Sequence, residues 1–317
     1  MPELPEVETI RRGLEKKIVG LTIQKIQVLN PKTFIGNEKK AEEAKVEGVW
    51  RRAKMLGVDL TNVILSETKD LDSSPLAQND SKVTLLFHLK MTGQLIFVEE
   101  SVKGEGERII GGHPTPDMKG DLPNKSTRVI FEFSNGSKLY FNDQRKFGWV
   151  KLISEACDQK VFDNEKLKID NLLGKLGPEP LEKDFNWEIL KSNLLHHKSQ
   201  PIKVALMDQS VVSGIGNIYS SEALFDARID PRRKVSTLSD NDFKKLVEGI
   251  QKSLKVSIEK GGSTRAHFVD VDGKKGYFLD YANVYGKEGK KCNGCPGLVK
   301  KIQQAGRGTY FCSTCQK

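Results

Sequence analysis

The sequence predicts an α+β protein of two domains: an amino-terminal helix packed with an antiparallel β-sandwich, then a helical domain closed by a four-cysteine module. Three observations carry this prediction. The first eighteen residues hold an amphipathic stripe, the stretch from about 21 to 153 is rich in β-branched and alternating segments, and helical periodicity takes over after 158. A chain of 317 residues has the length of about two domains. The expected divisions are 1–157, 165–260 and a closing segment, 261–317.

In the opening segment Val7, Ile10, Leu14 and Ile18 recur at helical spacing, with Arg11, Arg12, Lys16 and Lys17 on the other side. Pro5 suits a first helical turn, where its missing N–H is not needed. Pro2 and Glu3 then project from the helix entrance. Leu21 to Val28 carries no helical stripe and reads as a strand. Val129–Phe133 and Lys138–Phe141 flank Ser134-Asn135-Gly136-Ser137, in which Asn-Gly can take the positive φ angles of a two-residue hairpin turn. Residues 66–82 and 99–127, dense in Ser, Gly, Pro, Asn or charge, are expected to be surface loops. In the second half, Trp187, Leu190, Leu194 and Leu195 form one helical stripe and Phe243, Leu246, Ile250, Leu254 and Ile258 another. Ser239 followed by Asp242 marks a helix start. A glycine-punctuated turn, Ser213-Gly214-Ile215-Gly216-Asn217-Ile218-Tyr219, feeds a helix between them, and a hairpin is expected after Gly261.

The net charge of +9 favours an anionic partner, leaving nucleic acid, an acidic membrane surface and plain solubility open. No run approaches the roughly 20 apolar residues that cross a bilayer, and the acidic opening is unlike a secretory signal. No membrane association is expected, and the location expected is cytoplasmic. Four of the five cysteines lie in the last 26 residues, while Cys157 stands alone. Cys292-x-x-Cys295 and Cys312-x-x-Cys315, sixteen residues apart, have the spacing of one four-thiolate structural Zn2+ site. From Lys287 onward seven basic side chains face the single acid Glu288. Arg307 lies between glycines in Gly306-Arg307-Gly308-Thr309, where a turn could present guanidinium and backbone to phosphate.

Pro2 becomes chemically distinctive once Met1 is removed, because the chain then starts with a secondary amine. An α-amino group has a pKa of about 8, so part of it is neutral at physiological pH and can attack carbon to give an iminium. Glu3 and Glu6 place carboxyl groups beside it for acid–base work. Taken alone, the same residues also describe ordinary helix-start chemistry.

The motifs in combination resemble one family. Pro2-Glu3-Leu4-Pro5-Glu6-Val7-Glu8-Thr9 is similar to the amino-terminal signature of formamidopyrimidine-DNA glycosylases. Arg51-Arg52-Ala53-Lys54 resembles the family's lysine loop, and His88-Leu89-Lys90-Met91-Thr92-Gly93 and Asp143-Gln144-Arg145-Lys146-Phe147-Gly148 resemble its DNA-inserting loops. Gln209 to Tyr219 is similar to the turn of its helix–two-turns–helix element. Val284-Tyr285-Gly286 with the four cysteines and Gly306–Thr309 resembles its zinc finger. Gly261 to Phe268 occupies the place of the lesion-recognition loop, with an Arg265-Ala266-His267 core that departs from the usual pattern. Lys146 stands where arginine is common.

The resemblance implies a base-excision repair enzyme acting on double-stranded DNA with oxidised purines, nucleoid-associated and monomeric, whose only cofactor is structural zinc. Pro2 would be the nucleophile, Glu3 the acid–base group, and Glu6 its support. Lys54, Lys203, Asn217 and Arg307 would hold phosphates. Met91 and Phe147 would fill the space of an extruded nucleotide, and Arg145 would meet its partner base. On residue type alone Met91 and Phe147 are more often core residues than wedges, and His88 more often structural than catalytic. Two rivals are an endonuclease VIII-like enzyme for oxidised pyrimidines and a non-catalytic zinc-finger protein that binds damaged DNA. Leu4 in the opening motif and the complete four-cysteine finger favour the purine enzyme over the first.

Overall fold

The computed structural model describes residues 2–62, 82–100, 108–112, 120–154, 173–263 and 278–317. Helix α1 (Leu4–Ile18) starts at Glu3, whose backbone N–H donates to Glu6 Oε2 at 2.8 Å. Val7, Ile10, Leu14 and Ile18 are all buried, so the apolar stripe is the packed face.

Among the described residues ten strands follow: β1 (Ile23–Val28), β2 (Phe34–Ile35), β3 (Ala44–Arg52), β4 (Met55–Asn62), β5 (Lys82–His88), β6 (Gly93–Val98), β7 (Arg108–Gly112), β8 (Thr127–Phe133), β9 (Lys138–Asp143) and β10 (Trp149–Ser154). They form two five-stranded sheets, ordered β1-β8-β9-β6-β7 and β2-β10-β5-β4-β3, antiparallel except for the short β2–β10 pair. Alternate residues such as Val83, Leu85 and Phe87 on one sheet and Val129, Phe131 and Phe133 on the other share one core with α1. The rings of Phe87 and Phe131 lie 5.7 Å apart across it.

Two expectations for this half change. The stretch 99–127 is not all loop, because Arg108–Gly112 pairs with Gln94–Val98 along the sheet edge. Its glycines serve close packing: a Cβ on Gly111 would lie 2.4 Å from the Ile10 side chain, and one on Gly112 2.4 Å from the Gly93 carbonyl. In the β8–β9 hairpin only Gly136 is left-handed, at φ +78°. Its N–H donates to the Phe133 carbonyl at 2.9 Å, and Phe133 N–H to the Ser137 carbonyl at 2.9 Å. The loop is therefore a three-residue turn with a glycine bulge.

The second half comprises α2 (Trp187–Leu194), α3 (Ile202–Leu206), α4 (Asn217–Asp226), α5 (Asp240–Glu259) and α6 (Phe278–Tyr281), then the hairpin β11 (Val299–Gln304) and β12 (Arg307–Cys312). Ser239 and Asp242 form a reciprocal cap at the start of α5. Leu195 is a correction: the chain tightens into a 3-10 turn at Leu195–His197, and Leu195 leaves the apolar face for solvent. The hairpin expected after Gly261 and the Arg265-Ala266-His267 core lie outside the described residues, as does Cys157. Among the described residues no helix is long and apolar enough to cross a membrane.

Among the contacts that join the halves, two stand at the lysine loop and the first turn of α1. Leu4, from the first turn of α1, packs into the helical core and not the sandwich, and its N–H donates to the Gly214 carbonyl at 3.0 Å. Glu179 lies buried between Arg51, which it meets at 2.8 and 3.0 Å, and Arg52 at 2.9 Å, and it also accepts from Ala53 N–H and Ser213 Oγ. Burial pushes the Glu179 carboxyl up, but the bonds and charges of Arg51, Ala53 and Arg52 outweigh it and hold it below the ordinary 4.5.

A buried ion pair stripped of one partner leaves an uncompensated charge, at a cost of about 3 kcal/mol or more. Glu179→Ala should lower unfolding stability by about that amount in urea titrations at neutral pH. A depressed carboxylate contributes fully above its unfolded pKa and loses that contribution as pH falls through the folded one. The gap between wild type and variant should therefore stay constant above the ordinary 4.5 and close below it. A gap that widened in acid would contradict this.

Candidate active site

The site is built at the amino terminus of α4. The chain enters through Gly214, at φ +84°, and Gly216 caps the helix with its amides directed outward. The Glu3 carboxylate accepts from Gly216 N–H at 2.7 Å, Ile218 N–H at 3.0 Å and Tyr219 N–H at 3.4 Å. A carboxylate suits unpaired helix amides and the positive end of the helix dipole. Gly216 is required for contact, since a Cβ there would lie 2.5 Å from the Glu3 carboxyl carbon. Pro2 is buried immediately before Glu3. Glu6 is buried beside them, accepting from Tyr219 Oη at 2.5 Å and Ser263 N–H at 2.7 Å. Tyr219 Oη is also 2.5 Å from Ser257 Oγ. Burial raises the Glu3 pKa, with Glu6 adding to the rise and Lys54 and the Ile218 amide opposing it.

Lys54 reaches the same point from the β3–β4 turn, where Ala53 takes φ +55°. Its Nζ donates to the Ile215 carbonyl at 2.6 Å. Burial above all, then the charges of Arg307 and Lys90, bring its pKa down to about 8 against the pull of Glu3 and Glu6. Lys203, on α3, is fully buried and donates to Asn217 Oδ1 at 2.5 Å. Burial and Arg307 bring it to about 8 as well, against the pull of Glu3. Asn217 Nδ2 donates to the Gly308 carbonyl at 3.1 Å, tying α4 to the β11–β12 hairpin. Ala305 and Gly306 are both left-handed at the hairpin tip, and the exposed Arg307 opens β12 beside them. Two carboxylates, two low-pKa lysines, an amide and a guanidinium thus gather around the Glu3 seat, next to Pro2 in the chain.

Met91, Arg145 and Phe147 sit on two adjoining turns. Asp143 organises both: it accepts from Thr92 Oγ1, from Arg145 N–H at 3.2 Å and from Gly148 N–H at 2.7 Å. Phe147 is 55% exposed, which excludes the core reading, and the Arg145 guanidinium lies 4.8 Å from its ring centroid. Met91 is half-buried. His88 is half-buried and pushed down to about 3 by desolvation, Lys90 and Lys54, and its Nδ1 accepts from Lys90 N–H at 3.1 Å. It shapes the turn as a neutral ring.

The four cysteine sulfurs lie within 4.8 Å of one another, with Cys295–Cys312 at 3.5 Å and Cys292–Cys315 at 3.8 Å. Tetrahedral zinc with bonds of about 2.3 Å requires sulfurs about 3.8 Å apart, so this donor set fits a structural zinc ion. Gly294 and Gly297 N–H groups donate to Cys292 and Cys295 Sγ at 3.3 and 3.4 Å.

Several residues here escaped sequence reasoning. Glu179, within Leu176-Gly177-Pro178-Glu179-Pro180, fixes the lysine loop from the other domain. Glu222, buried on α4, accepts from the N–H groups of Asn283, Val284 and Tyr285 at 2.7 to 3.0 Å and so docks the chain entering the cysteine module. Gln209 shares the Ile215 carbonyl with Lys54, at 2.8 Å, and takes the Gly214 N–H at 3.0 Å. None lies in a periodic pattern, and Glu179 and Glu222 act on partners far away in sequence.

Comparison with known proteins places this architecture. Family models match residues 1–150 as the formamidopyrimidine-DNA glycosylase N-terminal domain and 176–268 as its H2TH domain, and residues 289–317 as a zinc finger found in FPG and IleRS. Formamidopyrimidine-DNA glycosylases of Prochlorococcus marinus and Roseobacter denitrificans are each 36% identical over the whole of both chains. A Lactococcus lactis FPG variant in complex with Fapy-dG-containing DNA is 31% identical, with a TM-score of 0.76 and both chains fully covered. A MutM complex with DNA containing carbocyclic 8-oxo-G matches over both whole chains at 31% identity and a TM-score of 0.75. The chain belongs to the formamidopyrimidine-DNA glycosylase family.

Gly216→Ala drives a methyl group into the Glu3 carboxylate. Misplacing a reacting group by about 1 Å can cost about a hundredfold in rate. Single-turnover strand cleavage should fall by about that factor while the circular dichroism of the protein stays unchanged. Wild-type rates in this variant would show that the Glu3 seat on α4 is not needed.

Proposed function

We propose that this chain excises oxidised purines from duplex DNA and then cleaves the strand, with Pro2 as the nucleophile. The observation that carries this reading is the Glu3 carboxyl held on the α4 amides directly after Pro2, ringed by Lys54, Lys203, Asn217 and Arg307.

Freed of Met1, the Pro2 nitrogen attacks the anomeric carbon as the bond to the damaged base breaks, and the base leaves with the bonding electrons and a proton. Glu3, its proton affinity raised by burial, delivers a proton to the sugar ring oxygen, and the ring opens to an iminium on Pro2. The iminium acidifies the adjacent sugar carbon. Loss of that proton expels the 3′ phosphate by β-elimination, and a second elimination expels the 5′ phosphate. Water then releases Pro2. Glu6 holds Tyr219 and the chain at Ser263 in place beside this centre.

Burying Lys54 and Lys203 with Arg307 nearby is electrostatically costly in the free protein, and DNA phosphates supply the missing anions. Lys54, Lys203, Asn217 and Arg307 are therefore assigned to phosphates around the lesion. Met91 and the exposed Phe147 fill the stack that the extruded nucleotide leaves, and Arg145 meets the orphaned base. The protein acts as a monomer beside the nucleoid in the cytoplasm, with zinc holding the finger that carries Arg307.

The test compares mature protein with Pro2→Gly on duplexes carrying 8-oxoguanine opposite cytosine or thymine glycol opposite adenine. The 8-oxoguanine strand should be cut faster, and Pro2→Gly should lose cleavage by more than about a thousandfold while still binding the duplex. Preference for thymine glycol would support the pyrimidine enzyme. Tight binding without cleavage by the wild type would support the damage-binding protein.

A further inference from the structure

Arg228 follows the last turn of α4, at φ +61°, a left-handed conformation that ordinarily favours glycine after a helix. Its side chain runs to the cysteine module. The Nη edge of the guanidinium abuts Gly294 in the first Cys-x-x-Cys turn: a Cβ placed there would be 2.5 Å from Nη2, 2.6 Å from Nη1 and 3.0 Å from Cζ. Its Cζ stands 5.0 Å from the centroid of Phe225, which packs with Cys292, Val299 and Cys312 in the small core of the module. The Arg228 carbonyl accepts from Lys317 N–H at 3.0 Å, so backbone and side chain both hold the module.

Arg228 has no carboxylate partner among the described residues. Arg232, four positions on, differs: it pairs with Asp230 at 2.6 Å. Four thiolates around a dication leave a net negative centre, and the Arg228 guanidinium stands against the turn that carries Cys292 and Cys295.

We propose that Arg228 is a positioning residue of the zinc centre: its guanidinium braces the first cysteine turn while its backbone carbonyl holds the chain just past the second, and its charge offsets that of the four thiolates and so retains the ion. The backbone conformation supports a role for the side chain, because glycine would fit this φ with less strain and could make none of these contacts. The position also matters for the whole site, since α4 carries the Glu3 seat at one end and Arg228 at the other.

The experiment uses the full-length zinc-loaded protein and follows zinc release to excess EDTA with a chromogenic zinc indicator. Arg228→Gly should release zinc about tenfold faster, the scale of losing an outer partner of a metal ligand. Arg228→Lys should stay near the wild-type rate, and the difference should shrink at high salt because Arg228 is exposed. Circular dichroism before EDTA addition should be the same for all three proteins. Unchanged zinc retention in Arg228→Gly overturns the proposal, as does equal loss in Arg228→Lys at every salt concentration. Loss of helical signal before EDTA overturns it too, by assigning the effect to folding.

Discussion

The hydrogen bonds between the Glu3 carboxylate and the first amides of α4 are the constraint on which this structure turns. One residue thereby belongs to both halves of the molecule. Its backbone begins the helix that packs on the β-sandwich, and its side chain ends the exposed amides of a helix more than two hundred residues later. Leu4 repeats the link in apolar form, and Gly214 and Gly216 exist at that turn because no side chain could fit beside Leu4 and Glu3. The position of Pro2 follows from this anchoring, since it directly precedes Glu3, whose carboxylate is fixed on α4.

Around that anchor the protein concentrates charge that it does not neutralise. Lys54 and Lys203 are buried within the field of Arg307, and their proton affinities fall accordingly. Where stability alone is at stake, as at Glu179, each buried charge has its partner within the fold. The contrast separates the two kinds of network. The Glu179 cluster is satisfied internally and holds the domains together, whereas the lysine–arginine cluster keeps a charge that the proposed phosphate contacts would complete.

What could be read from the sequence was what depends on neighbours along the chain. The α1 stripe, the Ser239–Asp242 cap and the two Cys-x-x-Cys turns are local patterns, and each has its expected form. Pro2 and Glu3 gained meaning only from the family resemblance, since helix-start chemistry explains the same letters. Strand β7 was hidden because Gly111 and Gly112 look like loop residues, although they are there to admit Ile10 and β6. Leu195 continued an apolar spacing after the helix geometry that gave the spacing meaning had ended. Glu179, Glu222 and Arg228 left no trace because their partners lie in other elements. The exposure of Phe147, which separates a wedge from a core ring, is likewise a property of the folded surface.

Three amines compete for the same role in this site: Pro2 at the chain start, and Lys54 and Lys203, each brought down to about 8 and so partly neutral near physiological pH. The most direct measurement is tandem mass spectrometry of the peptide that carries the sugar remnant after borohydride reduction of the enzyme on an 8-oxoguanine duplex. The account predicts the mass addition on an amino-terminal peptide beginning at Pro2, with none on the peptides containing Lys54 or Lys203. A remnant on either lysine would contradict it, and would make the Glu3 seat a support for lysine chemistry instead.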